Sequence, residues 1–236
     1  MKLVLVGSGE FTEAMVPVDE YIFSSVDNPV VAILPTAAGQ EHDAPKWIDN
    51  GVAHFTSLGI ESYGVPVLNQ QDTENKELLE QVERATVLYF SGGDPGYLTR
   101  TVRNSSLGKL VMKKYLAGNL LIGSSAGAMM CGFNVLANAQ NLNSPDDSAE
   151  WTAGLDLVKY VILPHFDLIE KKYTHILPMI EKEMVESFNN RWMGIDEDTA
   201  LVITESGKGV VKGKGRVIVN EGVDKKNYKS EDLITF

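Results

Sequence analysis

One short stretch of the chain has the residue types and spacing to make and break an acyl bond. Gly123-Ser124-Ser125-Ala126-Gly127 satisfies Gly-x-Ser-x-Gly with Ser125 at its centre. The apolar run Asn119-Leu120-Leu121-Ile122 precedes it and Ala128-Met129-Met130 follows, which is the strand-turn-helix setting that holds a serine hydroxyl clear of a sheet. Small neighbours let a substrate carbonyl approach the backbone, and the N-terminus of the following helix favours developing negative charge. A tight turn of small residues without chemistry is the competing reading.

A serine hydroxyl is a weak nucleophile at neutral pH unless a base takes its proton. Of the four histidines, His42 falls in a polar loop, His54 on an amphipathic helix and His175 in the middle of another helix. His165 directly follows the apolar strand Val161-Ile162-Leu163 and is the best-placed base. A carboxylate should then fix the imidazole tautomer. Gly194-Ile195-Asp196-Glu197-Asp198-Thr199-Ala200 offers three, Asp196, Glu197 and Asp198, just before a strand. Spacing does not choose among them, and a solvated acidic turn is the bland alternative.

These groups need strands and turns to position them. Leu3 to Val6 runs into Gly7-Ser8-Gly9-Glu10, and Val30 to Leu34 into Pro35-Thr36-Ala37-Ala38-Gly39, both reading as buried strands entering loops. Trp47, Ile48, Val52 and Phe55 give Pro45 to Leu58 helical spacing, with Gly59 at its C-cap. Next come Ser62 to Leu68, a charged helix over Glu74 to Arg84, the strand Val87 to Phe90 and the turn Ser91-Gly92-Gly93-Asp94-Pro95. A helical region from Tyr97 to Leu116, interrupted near Asn104 to Ser106, leads to the strand before Ser125. This alternation predicts an α/β fold, a three-layer α/β/α arrangement on a mostly parallel central sheet.

Cys131 to Trp151 reads as a surface excursion with too few periodic apolar residues to pack. Its length and its acids Asp146, Asp147 and Glu150 suggest a device that restricts access to the site. Val158 to Leu163 reads as a strand into Pro164-His165-Phe166-Asp167, with a helix from Lys172 to Phe188. Leu201-Val202-Ile203 precedes a Gly/Lys-rich C-terminal β-hairpin, so the tail is expected to be antiparallel. No repeat or linker separates two cores, and residues 1–236 read as a single domain.

Composition bounds the function. Hydrophobic residues make up 44% and charged residues 22% of 236 residues, which fits a folded, water-soluble chain. Lys and Arg number 21 against 32 Asp and Glu, a net charge of −11 that repels phosphate backbones and anionic lipid. We therefore expect neither a nucleic-acid nor a membrane partner. The single cysteine, Cys131, cannot form an internal disulfide, and no Cys/His cluster has zinc-ligand spacing. The four apolar residues between Lys2 and Gly7 fall short of a signal-peptide core, so a cytoplasmic protein is expected.

Four blocks in order give the chain a resemblance. Ser91-Gly92-Gly93-Asp94, Gly123 to Ala128, Pro164-His165-Phe166 and Gly194 to Ala200 resemble the S51 serine peptidases, which include dipeptidase E and cyanophycinase. The resemblance spans nearly the whole chain and implies a flavodoxin-like fold similar to class I glutamine amidotransferases. It implies Ser125 as nucleophile, His165 as general base and Glu197 as its carboxylate partner, with Asp196 and Asp198 as weaker candidates. The N–H groups of Gly93 and Ala126 would form the oxyanion hole, and Asp94 and Lys171 would contact substrate.

The departures bear on substrate. Cyanophycinase-like members place a glutamine before the histidine and arginines after it, whereas here Pro164 precedes His165, and Ile169, Lys171 and Lys172 follow. Dipeptidase E shares the Pro-His pair but holds an N-terminal aspartate with an arginine beyond the histidine, and Lys172 to Met184 contains none. Lys171, Lys172 or Arg191 remain as receivers of a substrate carboxylate. The expected activity is hydrolysis of a short peptide, acidic or isoaspartyl residues included, by a monomer or homodimer needing no metal or organic cofactor.

Two other readings compete. Glutamine amidotransfer needs a cysteine at the elbow, and Cys131 lies six residues past Ser125. A non-catalytic module could instead cradle an anion on the N–H groups of Gly7-Ser8-Gly9-Glu10 and Gly92-Gly93. A dinucleotide site is disfavoured because Thr12 stands where the third fingerprint glycine would be.

Overall fold

The computed structural model describes residues 2–142, 144, 147–187, 191–204, 206–222 and 224–236. The chain runs β1 (Leu3–Val6), α1 (Val16–Phe23), β2 (Val30–Leu34), α2 (Ala44–Ser57), β3 (Glu61–Gly64), α3 (Lys76–Arg84) and β4 (Val87–Phe90). It continues as α4 (Pro95–Val102), α5 (Ser106–Leu116), β5 (Leu120–Ser124), α6 (Ala126–Met130), β6 (Asn134–Leu136), β7 (Trp151–Ala153) and β8 (Val161–Leu163). Then follow α7 (Phe166–Lys171), α8 (Ile176–Ser187), β9 (Arg191–Ile195), β10 (Thr199–Ile203), β11 (Lys208–Gly213), β12 (Arg216–Glu221), β13 (Lys225–Lys229) and β14 (Leu233–Thr235).

Continuous apolar runs make the central strands, because both of their faces are covered. In β1, Leu3 and Leu5 pack toward α3, α4 and α5, while Val4 and Val6 pack toward α1 and α2. The eight-stranded sheet has the order β14-β11-β10-β1-β5-β4-β2-β3. The pairs β1–β5, β5–β4, β4–β2 and β2–β3 are parallel, and β10, β11 and β14 add antiparallel to the β1 side. Helix starts follow local chemistry: Asn75 accepts from the N–H groups of Glu77 and Leu78 at α3, and Ser105 from Gly108 N–H at α5.

Beside the expected central sheet and its helices lies a second sheet, β13-β12-β9-β8. Its strand β8 pairs parallel with β9 across α7 and α8, a pairing that local periodicity does not reveal. One face, with Ile162, Met193 and Val217, joins the central core; the other, with Val161, Trp192 and Ile218, packs under α7 and α8. Phe166 stacks on Trp192 at 5.2 Å between ring centroids. The antiparallel tail is as expected, with β10–β11 and β12–β13 as hairpins. The corner Gly213-Lys214-Gly215, however, carries the chain from one sheet to the other.

The segment after Cys131 is not a bare surface excursion. β6 and β7 pair antiparallel, and Val135, Leu136 and Leu142 are buried against α8 and Trp192. Their apolar contacts come from across the fold, so no helical or strand period betrays them. α7 was unforeseen, and His175 lies in the turn between α7 and α8 instead of inside a helix, because the helical turn that begins at Phe166 stops at Lys171.

Candidate active site

Ser125 sits where β5 meets α6, with φ 50° and ψ −111°. Its N–H donates to Val6 O at 3.0 Å, and its carbonyl accepts from Met129 N–H at 3.0 Å. Those bonds hold a sparsely populated backbone conformation that turns the side chain out of the sheet. Ser125 Oγ lies 2.9 Å from His165 Nε2, and His165 Nδ1 lies 3.0 Å from Glu197 Oε1. His165 has φ 51° at the end of β8, and its carbonyl accepts from the N–H groups of Leu168 and Ile169.

The three acids before β10 point to three different partners. Asp196 is buried and accepts from Arg216 N–H at 3.1 Å and Arg216 Nε at 3.3 Å. Burial pushes its carboxyl above the ordinary value, and Arg216 pulls against that shift. Asp198 pairs with Lys214 at 3.1 Å. Glu197 is the one that reaches His165. Its backbone N–H donates to Asp167 Oδ1 at 3.1 Å, so α7 fixes the turn that presents it. Burial works to raise the Asp167 carboxyl, but the Glu197 N–H and Lys171 outweigh it and leave it below the ordinary value.

Gly93 and Ala126 occupy the turns after β4 and β5, and neither N–H has an acceptor among the described residues. Gly93 has φ 138°, and a Cβ there would lie 2.4 Å from Ala37 C, so only glycine fits that turn. The preceding N–H, of Gly92, donates to Glu10 Oε1 at 3.0 Å. Of the N–H groups envisaged as an anion cradle, in Gly7 to Glu10 and Gly92-Gly93, that of Gly92 is met by the chain's own carboxylate and that of Gly7 by Thr199 O at 2.9 Å. Glu10 was missed as a site residue, although its place in the loop after a central parallel strand is where such sheets gather their sites.

A cavity of about 320 Å³ opens beside these groups and is lined by Gly93, Ser125, His165, Gln140, Tyr173 and a set of aliphatic side chains. Leu136 and Leu142 from the segment after Cys131 are among them, while Asp147 and Glu150 are not. Asp146 lies outside the described residues. The expected substrate contacts are engaged elsewhere: Asp94 Oδ1 accepts from Tyr97 N–H at 2.8 Å as the cap of α4, and Lys171 pairs with Asp167 at 3.2 Å on an exposed helix face. Arg191 donates to Tyr160 Oη at 2.9 Å and Glu221 Oε1 at 2.8 Å, and Lys172 is exposed.

The remaining histidines and the thiol stand apart. His54 bonds the buried Asp19 at 2.8 Å, and His42 is exposed. Cys131 is buried with Sγ on Gly127 O, and burial pushes its thiol up to about 12. It is neither at the elbow nor ionised near neutral pH, which removes it as an amidotransferase nucleophile. Among the described residues no group of three His, Cys, Asp or Glu side chains is placed to hold a metal ion, and no helix is long and apolar enough to cross a membrane.

A mostly parallel α/β sheet carrying a serine on a strained strand-to-helix turn, with an imidazole in contact, defines a hydrolase class. Peptidase family S51 matches residues 3–211, and the chain belongs to that family. It is a serine peptidase. A cyanophycinase of Geminocystis herdmanii is 26% identical over 197 residues, 82% of this chain and 70% of the relative. An uncharacterized peptidase of Listeria innocua is 27% identical over 160 residues, 67% of this chain and 74% of its own. A crystal structure of a peptidase from an acI-B1 Actinobacterium superposes with a TM-score of 0.83 at 30% identity, covering 99% of this chain and 96% of the other. A putative peptidase E from Listeria monocytogenes shares the fold, with a TM-score of 0.60 at 19% identity and coverage of 96% and 97%.

Proposed function

We propose that the protein hydrolyses short peptides through an acyl-enzyme on Ser125, with His165 as general base and Glu197 as the group that orients it. The observation that carries this is the continuous run of contacts from Ser125 Oγ to His165 Nε2 at 2.9 Å and from His165 Nδ1 to Glu197 Oε1 at 3.0 Å. Glu197 Oε1 accepts a hydrogen bond from Nδ1–H, which keeps the proton on Nδ1 and leaves the Nε2 lone pair facing the hydroxyl. As Oγ attacks the scissile carbonyl, its proton passes to Nε2 and the carbonyl oxygen takes up negative charge. The N–H groups of Gly93 and Ala126 receive that oxyanion, a contribution worth about 10² to 10³ in turnover per donor. The imidazolium then protonates the leaving amine, and water, deprotonated by the same nitrogen, releases the acid and restores Ser125.

Labelling with a fluorophosphonate, with the adduct mapped by mass spectrometry, tests all three roles. Ser125 should carry the adduct, and Ser125→Ala and His165→Ala should abolish it while keeping a folded circular dichroism spectrum. A native protein that is folded and unlabelled, or labelled elsewhere, would remove Ser125 as nucleophile.

A further inference from the structure

The cavity beside Ser125 points away from the acidic and arginine-bearing substrates to which the resemblance drew attention. Its volume of about 320 Å³ equals roughly ten water molecules, enough for a large side chain. Ser125 and His165 form part of its wall, so whatever fills it lies beside the reacting atoms. The rest of the wall is mostly aliphatic, with Met129, Leu142, Leu163, Leu168, Ile169 and Ile180, and its uncharged polar members are Gln140 and Tyr173. Apart from His165, no acidic or basic side chain lines it among the described residues. A carboxylate or guanidinium placed there would lose its hydration without gaining an ionic partner. Lys171 is engaged with Asp167 and Arg191 with Tyr160 and Glu221, while Lys172 is exposed, and none of the three lines the cavity. The net charge of −11 works further against anionic substrates.

Resting on the reading of Ser125 as nucleophile, we propose that this cavity is the subsite for a large apolar side chain next to the scissile bond. The preferred short peptides then carry Leu, Met or Phe at that position, and Asp, Glu and Arg are disfavoured there. Ile169 lines the same cavity as Ser125 and His165, so a cation introduced there would face an acidic side chain bound in it. Ile169 is only partly buried, on the short helix after His165, so a longer side chain has room at that point.

The test uses dipeptides X-Ala and Ala-X, with X as Leu, Phe, Asp or Arg. Hydrolysis by the native protein and calorimetric binding to Ser125→Ala are measured on the same set. In one of the two series, kcat/KM and affinity should favour Leu or Phe over Asp by about 10- to 100-fold. Ile169→Leu should keep that preference, and Ile169→Arg should shrink or reverse it. Hydrolysis that proceeds with Asp equal to or better than Leu in both series overturns the subsite while leaving the peptidase reading intact. Absent hydrolysis of every peptide, with Leu and Phe still bound more tightly than Asp, upholds the subsite and overturns the chemistry. Binding to Ser125→Ala with no apolar preference overturns the subsite whatever the activity.

Discussion

In the proposed mechanism Glu197 Oε1, 3.0 Å from His165 Nδ1, keeps the proton on that nitrogen so that Nε2 can act on Ser125. Glu197→Gln keeps the shape of the side chain but can offer its amide N–H to Nδ1, favouring the wrong tautomer. Steady-state kinetics should show kcat lower by about 10⁴-fold, with the circular dichroism unchanged. Asp198→Asn breaks only the exposed pair with Lys214 and should leave kcat within a few-fold. Cys131 makes a separate prediction. Its folded thiol, near 12, lies above its ordinary 9.0, so the stability it contributes is present below pH 9 and is lost as pH rises toward 12. Urea unfolding at pH 8 and at pH 10.5 should therefore show wild type losing more stability than Cys131→Ala. Iodoacetamide should leave the native thiol unmodified at pH 8 and react with it in urea.

Between elements, the site depends on how α7 and the turn before β10 are tied together. Asp167 holds the Glu197 N–H, and Arg216 on β12 bonds both Asp196 in that turn and Glu170 on α7. Asp167→Ala should lower kcat by about 10- to 100-fold through misplacement of Glu197, while fluorophosphonate still maps to Ser125. The Asp167 carboxyl is held below its ordinary value, so its contribution is present above the usual carboxylate range and disappears as pH falls through the lowered value. At the corner joining the two sheets, Gly213 has φ 114°, and a Cβ there would lie 2.2 Å from Asp198 O. Gly213→Ala should destabilise by about 1–3 kcal/mol in urea unfolding and reduce activity at the same time, because the carbonyl it strikes belongs to the turn bearing Glu197.

Across the molecule, stability is expected to be graded. β1, β5 and β4 lie inside the large sheet with both faces covered, whereas β13 is mostly exposed and β14 forms a sheet edge. Hydrogen exchange followed by mass spectrometry should find the slowest amides in β1, β4 and β5 and the fastest in β13 and β14. Equal protection of β13 and β1 would contradict the layering. The site straddles this gradient: Ser125 and the Gly93 turn hang from the central strands, His165 and Glu197 from the ends of β8 and β9 in the second sheet, and the cavity wall draws on both sides and on the segment after Cys131.

The sequence by itself determined the central α/β frame, since Leu3 to Val6, Val30 to Leu34 and Val87 to Phe90 are apolar on both faces and lie between helices of visible period. It also determined Ser125 and His165, because a small-residue elbow after a strand and a histidine at a strand end are local patterns. Tertiary structure alone decided the rest. Asp196, Glu197 and Asp198 are consecutive in a turn, where direction depends on Arg216, His165 and Lys214 arriving from elsewhere. The second sheet pairs β8 with β9 across two helices, and the apolar cavity gathers Met129, Leu142, Leu163 and Ile180 from separate elements. A local pattern records the turn of the backbone, whereas side-chain direction and concavity follow from contacts between residues distant along the chain.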